Sequence, residues 1–249
     1  MASQFEIERL GPAKVPSPLR LRTAEGQDSA QPVNYVSDDE CVLYRIELDG
    51  PSQSVASSDL GELEKAGPRE KLFFAPGRVH AAIVTCGGLC PGLNDVIRSI
   101  VMTLWNQYGV RRISGIRYGY RGLLPDAAWE PLPLDPSVGA RIHRQGGTIL
   151  GGARGGGEQT AAVVDTLQRL GIDMLFTIGG DGTQKGAAKI ASEITARGLP
   201  IAVVGVPKTI DNDLSFVEKS FGFETAVSEG LRAVEGAHTE AEDAVNGVG

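Results

Sequence analysis

Cysteine is scarce in this 249-residue sequence, which contains only Cys41, Cys86 and Cys90. Three cysteines form no disulfide framework, and none of them lies among histidines at a spacing typical of zinc ligands. We therefore interpret Cys86 and Cys90, which flank a pair of glycines, as small packing residues beside a turn rather than as a redox pair.

The sequence also lacks long apolar runs and dense clusters of basic residues. No run approaches the roughly 18 residues that a membrane-spanning helix needs, and residues 1–6 show no positive segment followed by an apolar one. The formal net charge is −7, which argues against a nucleic-acid surface or a basic membrane patch. These features predict a cytoplasmic protein with neither nucleic acid nor membrane as a partner, in which any anionic substrate is held by local groups.

What the sequence does contain is enough apolar material for a full core, since 41% of its residues are hydrophobic. The composition and periodicity of the sequence change near residue 78. Residues 11–38 are rich in proline, serine, glutamine and asparagine and favour a loop or a loosely attached arm, whereas residues 41–48 predict one strand. This composition fits one or two domains.

From Val79 onward the pattern alternates between strand, glycine turn and helix, which predicts an α/β fold with a parallel sheet flanked by helices. The apolar runs that predict buried strands lie at residues 81–85, 112–116, 174–178 and 200–206. Helical periodicity predicts helices over residues 96–104, 137–145, 158–170 and from about 183 to 194.

Three of the predicted strands end in turns whose residues suit ligand binding or catalysis. These turns occupy residues 87–94, 179–183 (GGDGT) and 207–213 (PKTIDND). Ligands of open parallel sheets bind beyond the carboxyl ends of the strands, so we expect the three turns to converge on one crevice. In GGDGT, glycines and a helix N-terminus suit phosphate oxygens, and Asp181 suits Mg²⁺. A strand-to-helix turn that merely needs small residues is the alternative.

Together the turns supply the parts that phosphoryl transfer to an alcohol requires. Asp181 and Asp213 are candidate metal ligands, Asp211 is a candidate base, and Arg154 could neutralise the charge of a transferring phosphate. Each residue also has an ordinary interpretation. The aspartates could make hydrogen bonds within their turn, Lys208 could be a solvated surface charge, and Arg154 could sit in a mobile glycine loop.

Five motifs in this order and spacing resemble the 6-phosphofructokinase family: TCGGLCPGLN (85–94), GIRYGYRG (115–122), GTILG (147–151), GGDGT and PKTIDND. The resemblance covers about residues 67–249. It implies a Rossmann-like nucleotide domain and transfer of a phosphoryl group from ATP, with Mg²⁺, to the 1-hydroxyl of fructose 6-phosphate in glycolysis. It also implies an N-terminal extension over residues 1–78, a nucleotide-binding domain over 79–220 and the start of a substrate domain over 221–249.

Matching positions then imply roles for individual residues. The nucleotide contacts implied are Gly87, Tyr120 beside the adenine, Arg154, Gly155, Gly180, Asp181, Gly182 and Thr183. Asp181 resembles the magnesium ligand, which Asp213 assists. Thr209, Ile210 and Asp211 match the sugar-phosphate turn, with Asp211 as the proton acceptor.

The donor can also be argued from charge. Pyrophosphate-using branches of the family resemble this chain but place aspartate where Gly182 stands, and a carboxylate there would repel the α-phosphate of a nucleotide. Gly182 therefore favours ATP, and we interpret Lys208 as a phosphate contact compatible with either donor. A pyrophosphate-dependent enzyme and a non-catalytic nucleotide-binding or interaction subunit stay open as alternatives.

The sequence ends at Gly249, before the Met-Gly-Arg turn of the resembled family. We expect the second domain to be largely absent, the last helix, from about residue 222 to 236, to have little to pack against, and the sheet to have an unpaired edge. The resemblance further implies an allosteric homo-oligomer, a dimer or tetramer, in the complete form.

Overall fold

The computed structural model describes residues 7–21, 34–43, 62–215 and 217–247. Contacts divide the chain into two units, residues 1–78 with 107–109, and residues 79–106 with 110–249. The described strands are β1 (Val15–Pro16), β2 (Cys41–Leu43), β3 (Glu62–Glu64), β4 (Lys71–Leu72), β5 (His80–Thr85), β6 (Arg112–Ile116), β7 (Leu132–Pro133), β8 (Met174–Gly179) and β9 (Ala202–Pro207). The described α-helices are α1 (Leu93–Met102), α2 (Pro136–Ile142), α3 (Thr160–Leu170), α4 (Asp181–Ala196) and α5 (Phe223–Asp243).

The described part of the first unit contains two short antiparallel pairs, β1 with β4 and β2 with β3. Arg69 links its segments, since the guanidinium lies 3.0 Å from Asp38 and 2.8 Å from Glu64. The strand predicted over residues 41–48 is present as β2 over its first three residues, and the rest of that prediction lies outside the described residues.

The second unit is built on a sheet of order β7-β6-β5-β8-β9. The pairs β5–β6, β5–β8 and β8–β9 are parallel, so the predicted α/β fold is confirmed. β7 pairs antiparallel with β6 and was not predicted, because two residues carry no periodicity. Its Pro133 cannot donate a ladder hydrogen bond and is therefore suited to an outer strand.

The core lies on the two central strands and the helices against them. Ala81, Ile83 and Val84 of β5 are fully buried, as a continuous apolar run between two helical layers requires. Leu167 of α3 and Ile190 of α4 are equally buried. These positions recur at helical spacing, which explains why the sequence pattern located the helices well.

Helix ends differ from the predicted ones by a few residues. α2 begins at Pro136 because Asp135 caps it, accepting the backbone N–H groups of Ser137 at 2.7 Å and Val138 at 3.1 Å. Bonds to Ser137 and Val138 also lower the pKa of the Asp135 carboxyl. α4 begins at Asp181, two residues before the predicted start, so that Asp181 and Gly182 belong to its first turn.

The strand predicted over residues 200–206 is present as β9, but the prediction that it is buried is wrong. β9 is the outermost strand on its side, and Val204 in its middle keeps 45% of its surface exposed. No described residue pairs with its outer edge. The expectation of an unpaired edge is therefore confirmed.

The last helix is exposed over most of its length, as expected. α5 extends to Asp243 and has no buried residue, and its apolar side chains Val227, Leu231 and Val234 are all more than half exposed. Within the described parts of the chain, no helix is both long and apolar enough to cross a membrane.

Candidate functional site

The three predicted turns leave the sheet at one edge and border two neighbouring cavities of about 500 and 790 Å³. The first cavity is lined by all eight residues predicted to contact nucleotide: Gly87, Tyr120, Arg154, Gly155, Gly180, Asp181, Gly182 and Thr183. The second cavity is lined by the residues predicted for the substrate and for metal assistance: Thr209, Ile210, Asp211 and Asp213. The expected convergence on one crevice is thus present.

The turn after β8 is shaped by its backbone. Gly180 is the N-cap of α4, and its carbonyl oxygen accepts the N–H groups of Thr183 at 2.9 Å and Gln184 at 3.0 Å. The first N–H groups of a helix have no partner within it and suit phosphate oxygens. A side chain at Gly179 would collide with Thr183, whereas a Cβ on Gly182 would meet no atom within 4 Å. The space beside Gly182 is therefore open.

The first cavity also holds two lysines that the sequence analysis missed. Lys185 and Lys189 line it from α4, and the Nζ of Lys185 lies 2.7 Å from the carboxylate of Asp181. Both side chains of that pair are mostly exposed, so the ion pair itself stabilises little. Residues 181, 185 and 189 follow one another at intervals of four, which places them on one face of the helix. This four-residue spacing is the sequence signal that could have identified the two lysines.

Arg154 and Gly155 belong to a loop that lies against the end of β5. The N–H of Gly87 donates to the carbonyl oxygen of Ala153 at 3.0 Å, so this N–H is used within the protein. Gly87 lines the first cavity, and its role as a nucleotide contact stays a prediction that does not use this N–H as the structure stands. Gly87 has a φ of 81°, in the left-handed region that glycine adopts without strain. Arg154 is exposed and lines both cavities.

Tyr120 is the most buried of the aromatic residues at the site, with 3% of its surface exposed. Its hydroxyl donates to the carbonyl oxygen of Thr183 at 2.8 Å. Its ring is so close to Gly157 and Gly186 that a Cβ on either would lie about 3 Å from a ring carbon. Burial raises the pKa of the Tyr120 hydroxyl. The ring thus forms part of the floor of the first cavity.

The turn after β9 is shaped by side chains. The hydroxyl of Thr209 donates to Asp213 at 2.5 Å and accepts the N–H of Asp211 at 3.1 Å. Asn212, which has a φ of 55°, accepts the N–H of Ser220 at 2.7 Å. Asp213 thus makes a hydrogen bond within the turn, as the alternative interpretation of this residue expected. The carboxylate of Asp211 makes no hydrogen bond to the described residues and lines the second cavity.

Lys208 lies between the two cavities and lines both. It is only 7% exposed, and its Nζ donates to the carbonyl oxygen of Gly88 at 2.7 Å. The alternative that Lys208 is a solvated surface charge is therefore wrong. A buried ammonium group is costly without an anionic partner, and its position makes an anion in either cavity a favourable neighbour.

The acidic residues fit a magnesium ion that is shared with phosphate. The described residues contain no group of three or more histidine, cysteine, aspartate or glutamate side chains that could hold a metal by themselves. Asp181 and Asp213 both line the second cavity. Protein Mg²⁺ sites often use one or two carboxylates and take their other ligands from phosphate and water, which matches this pair.

Comparison with known proteins gives consistent results. Residues 80–248 match the family model described as phosphofructokinase. An ATP-dependent 6-phosphofructokinase of Borreliella burgdorferi is 53% identical over 245 residues, which cover 98% of this chain and 53% of that protein. ATP-dependent 6-phosphofructokinase 7 of Arabidopsis thaliana is 55% identical over 185 residues, which cover 74% of this chain and 37% of that protein. This chain therefore spans about half the length, or less, of these two curated relatives.

Among solved structures, Pichia pastoris phosphofructokinase in the T-state is similar to this chain with a TM-score of 0.55 and 25% identity. The match covers 71% of this chain and 21% of that one. The sheet and helices described above are thus those of a phosphofructokinase fold.

Proposed function

Since this chain belongs to the phosphofructokinase family, we propose that it carries the phosphoryl-donor site and part of the acceptor site of an ATP-dependent 6-phosphofructokinase. The reaction proposed is transfer of the γ-phosphoryl group of ATP to the 1-hydroxyl of fructose 6-phosphate. Two relatives about half identical to this chain carry the name ATP-dependent 6-phosphofructokinase, which supports the proposal.

The observation that carries the proposal is a set of residues that borders both cavities, here called the shared wall. Gly88, Arg154, Gly180, Asp181 and Lys208 line both of them. A phosphoryl group that passes from a donor in the first cavity to an acceptor in the second would move past these shared residues. Positive side chains at that point stabilise the charge of the transferring group, and positioning with electrostatic stabilisation accounts for most of the catalysis of phosphoryl transfer.

The donor proposed is ATP, because of the open space at Gly182. An uncharged residue there leaves room for the α-phosphate of a nucleotide, and nothing within 4 Å would compete for that room. Tyr120 in the floor of the same cavity offers a ring edge beside an adenine base. Pyrophosphate is the second candidate, since buried Lys208 serves either donor.

In the proposed step, the oxygen of the sugar 1-hydroxyl attacks the γ-phosphorus, and the bond from that phosphorus to the β,γ-bridging oxygen breaks. Asp211 takes the hydroxyl proton, since its carboxylate lines the second cavity and makes no hydrogen bond to the described residues. Arg154 and Lys208 neutralise charge at the shared wall. Asp181 and Asp213 would hold Mg²⁺, which neutralises phosphate charge when bound. Thr209 keeps the acceptor turn in shape, and Ile210 borders the sugar.

Isothermal titration of the chain with Mg-ATP and, separately, with Mg-pyrophosphate tests the donor. We expect Mg-ATP to bind and to lose at least about 10-fold in affinity when Arg154 is replaced by alanine, because a charge-assisted contact to phosphate is lost. Arg169→Ala, at an exposed position of α3, is the matched control. Binding of pyrophosphate alone would contradict the ATP assignment. Binding of neither would support a non-catalytic interaction subunit.

The wider setting belongs to the same proposal. Residues 221–249 are proposed as the start of a substrate domain, residues 79–220 as the nucleotide-binding domain and residues 1–78 as an N-terminal extension. A cytoplasmic, glycolytic and allosteric homo-oligomer, either a dimer or a tetramer, is proposed for the complete enzyme. Sedimentation and effector titration of the complete enzyme would test these features.

A further inference from the structure

Gln184, in the first turns of α4, joins the two turns on which the proposed function depends. Its side-chain Nε2 donates to the carbonyl oxygen of Gly179 at 2.9 Å and to that of Val206 at 3.1 Å. Gly179 ends β8 directly before the turn of residues 180–183, and Val206 lies near the end of β9, before the turn of residues 207–213. A single amide group thus bridges the strand ends that lead to the donor and acceptor turns.

The bridge lies beside the last pair of the parallel ladder between β8 and β9. The two strands pair up to Gly179 and Pro207. Directly after that pair, the N–H of Lys208 donates to the carbonyl oxygen of Gly179 at 3.0 Å. Gln184 therefore reinforces the end of the sheet and shares the Gly179 oxygen with the backbone of the buried lysine.

Gly205 makes room for this bridge. A Cβ on Gly205 would lie 2.0 Å from Oε1 of Gln184, far inside contact distance. The φ of Gly205 is not in the left-handed region, so the backbone conformation does not require glycine there. The close approach of Gln184 explains why residue 205 is a glycine. A substitution at Gly205 therefore gives a second, independent way to disturb the same hydrogen bonds.

We propose that Gln184 is a positioning residue that couples the two turns, so that occupation of the donor turn by phosphate orders the acceptor turn that carries Asp211. This inference rests on the proposed function, because it requires phosphate at residues 180–183. Gln184 lines the second cavity, but its amide hydrogens are directed to backbone carbonyls. It acts through the turns rather than on the reacting atoms.

The test is amide hydrogen exchange of the whole chain, measured by mass spectrometry with and without saturating Mg-ATP. In the unchanged chain, Mg-ATP should slow exchange at residues 180–184 and also at residues 206–214. Gln184→Ala should keep the first effect and lose the second. Gln184→Glu keeps the shape of the side chain but has no N–H to donate, so it should behave like the alanine variant. Gln168→Ala, on the exposed face of α3, is the control and should behave like the unchanged chain.

Gly205→Ala adds a test that does not depend on truncating Gln184. The new methyl group displaces the amide, so exchange at residues 206–214 without ligand should speed up about 10-fold, which corresponds to ~1.4 kcal/mol and is the size expected for about one to two hydrogen bonds. Gln184→Ala should give a similar increase. The double variant should be no faster than either single variant, because both remove the same bonds.

The outcomes separate this inference from the proposed function. If Mg-ATP fails to slow exchange at residues 180–184 in the unchanged chain, the donor site is wrong and the coupling falls with it. If Mg-ATP slows exchange at both turns in Gln184→Ala and Gln184→Glu as it does in the unchanged chain, the donor site stands and the coupling role is overturned. Additive effects of the Gly205 and Gln184 substitutions would also overturn it.

Discussion

The turn after β8 and the turn after β9 border the same cavity but are built in different ways. The first is held by backbone hydrogen bonds at the start of a helix with five buried residues. The second is held by the side chains of Thr209, Asn212 and Asp213, between an outer strand and a helix with no buried residue. The turn proposed for the donor phosphates is therefore built from backbone, whereas the turn proposed for the acceptor depends on particular side chains.

The largest effect we expect concerns Asp211, in the turn built from side chains. Asp211→Asn keeps the volume of the side chain but removes its basicity. In any active preparation that contains this sequence, kcat should fall by about 10²- to 10⁴-fold while the affinity for Mg-ATP changes little, because general-base catalysis typically contributes that much. Steady-state kinetics with fructose 6-phosphate measures both quantities. Asp126→Asn, at an exposed position outside both cavities, is the control. Near-normal kcat in Asp211→Asn would remove Asp211 from the mechanism.

The next effect concerns Gly182, in the turn built from backbone. Gly182→Asp should weaken the binding of Mg-ATP about 100-fold, since two unit charges about 6 Å apart at an effective dielectric constant of about 20 repel each other by ~3 kcal/mol. The substitution adds charge without a clash, because nothing lies within 4 Å of the position. Gly182→Asn has the same shape without the charge, and titration calorimetry should show that it binds Mg-ATP far better than the aspartate variant. Equal losses in the two variants would mean that shape, not charge, decides the donor.

A matched pair of threonines tests the contrast between the turns directly. Thr209→Val loses the bonds to Asp211 and Asp213 and should lower the free energy of unfolding by about 1–2 kcal/mol. Thr183→Val should lower it by less, because that turn is held by its backbone and, among the described residues, the hydroxyl bonds only to the Cys86 thiol. Urea denaturation followed by circular dichroism measures both. A larger loss in the Thr183 variant would reverse the comparison.

The smallest effect concerns the buried cysteines Cys86 and Cys90 and depends on pH. Burial raises the pKa of the Cys86 thiol from an ordinary 9.0 to about 11. Between those values the unfolded thiol loses its proton while the folded one keeps it, so stability falls as pH rises above 9. Cys86→Ala should reduce this fall by about 1 kcal/mol at pH 10.

Burial also raises the pKa of Cys90, beside the acceptor turn. Cys90→Ala is the comparison variant and should change the slope of stability against pH less than Cys86→Ala does. Denaturation midpoints at pH 7, 9 and 10 give the slopes. If Cys86→Ala leaves the slope unchanged, Cys86 is more accessible to water than its burial indicates.

Much of this molecule could be predicted from local pattern. Continuous apolar runs located β5 and β8, because a strand buried on both faces leaves no polar alternation. Helical spacing located α3 and α4 within a few residues. The pattern located β9 but misjudged its burial, since an apolar run looks the same whether the strand has neighbours on both sides or on one. It also failed for β7, which is too short to have a period.

The sequence by itself determined which residue types follow each strand. Glycines, an aspartate and a helix start in one motif, with TIDND in another, predict a phosphate site beside a proton acceptor. Only the tertiary structure decided how these groups relate. It buried Lys208 between two cavities, used the N–H of Gly87 within the protein, brought Lys185 and Lys189 to the first cavity, and placed the amide of Gln184 across the two strand ends. Local pattern records the preferences of neighbours in sequence, whereas burial and hydrogen-bond partners depend on residues that only the folded chain brings together.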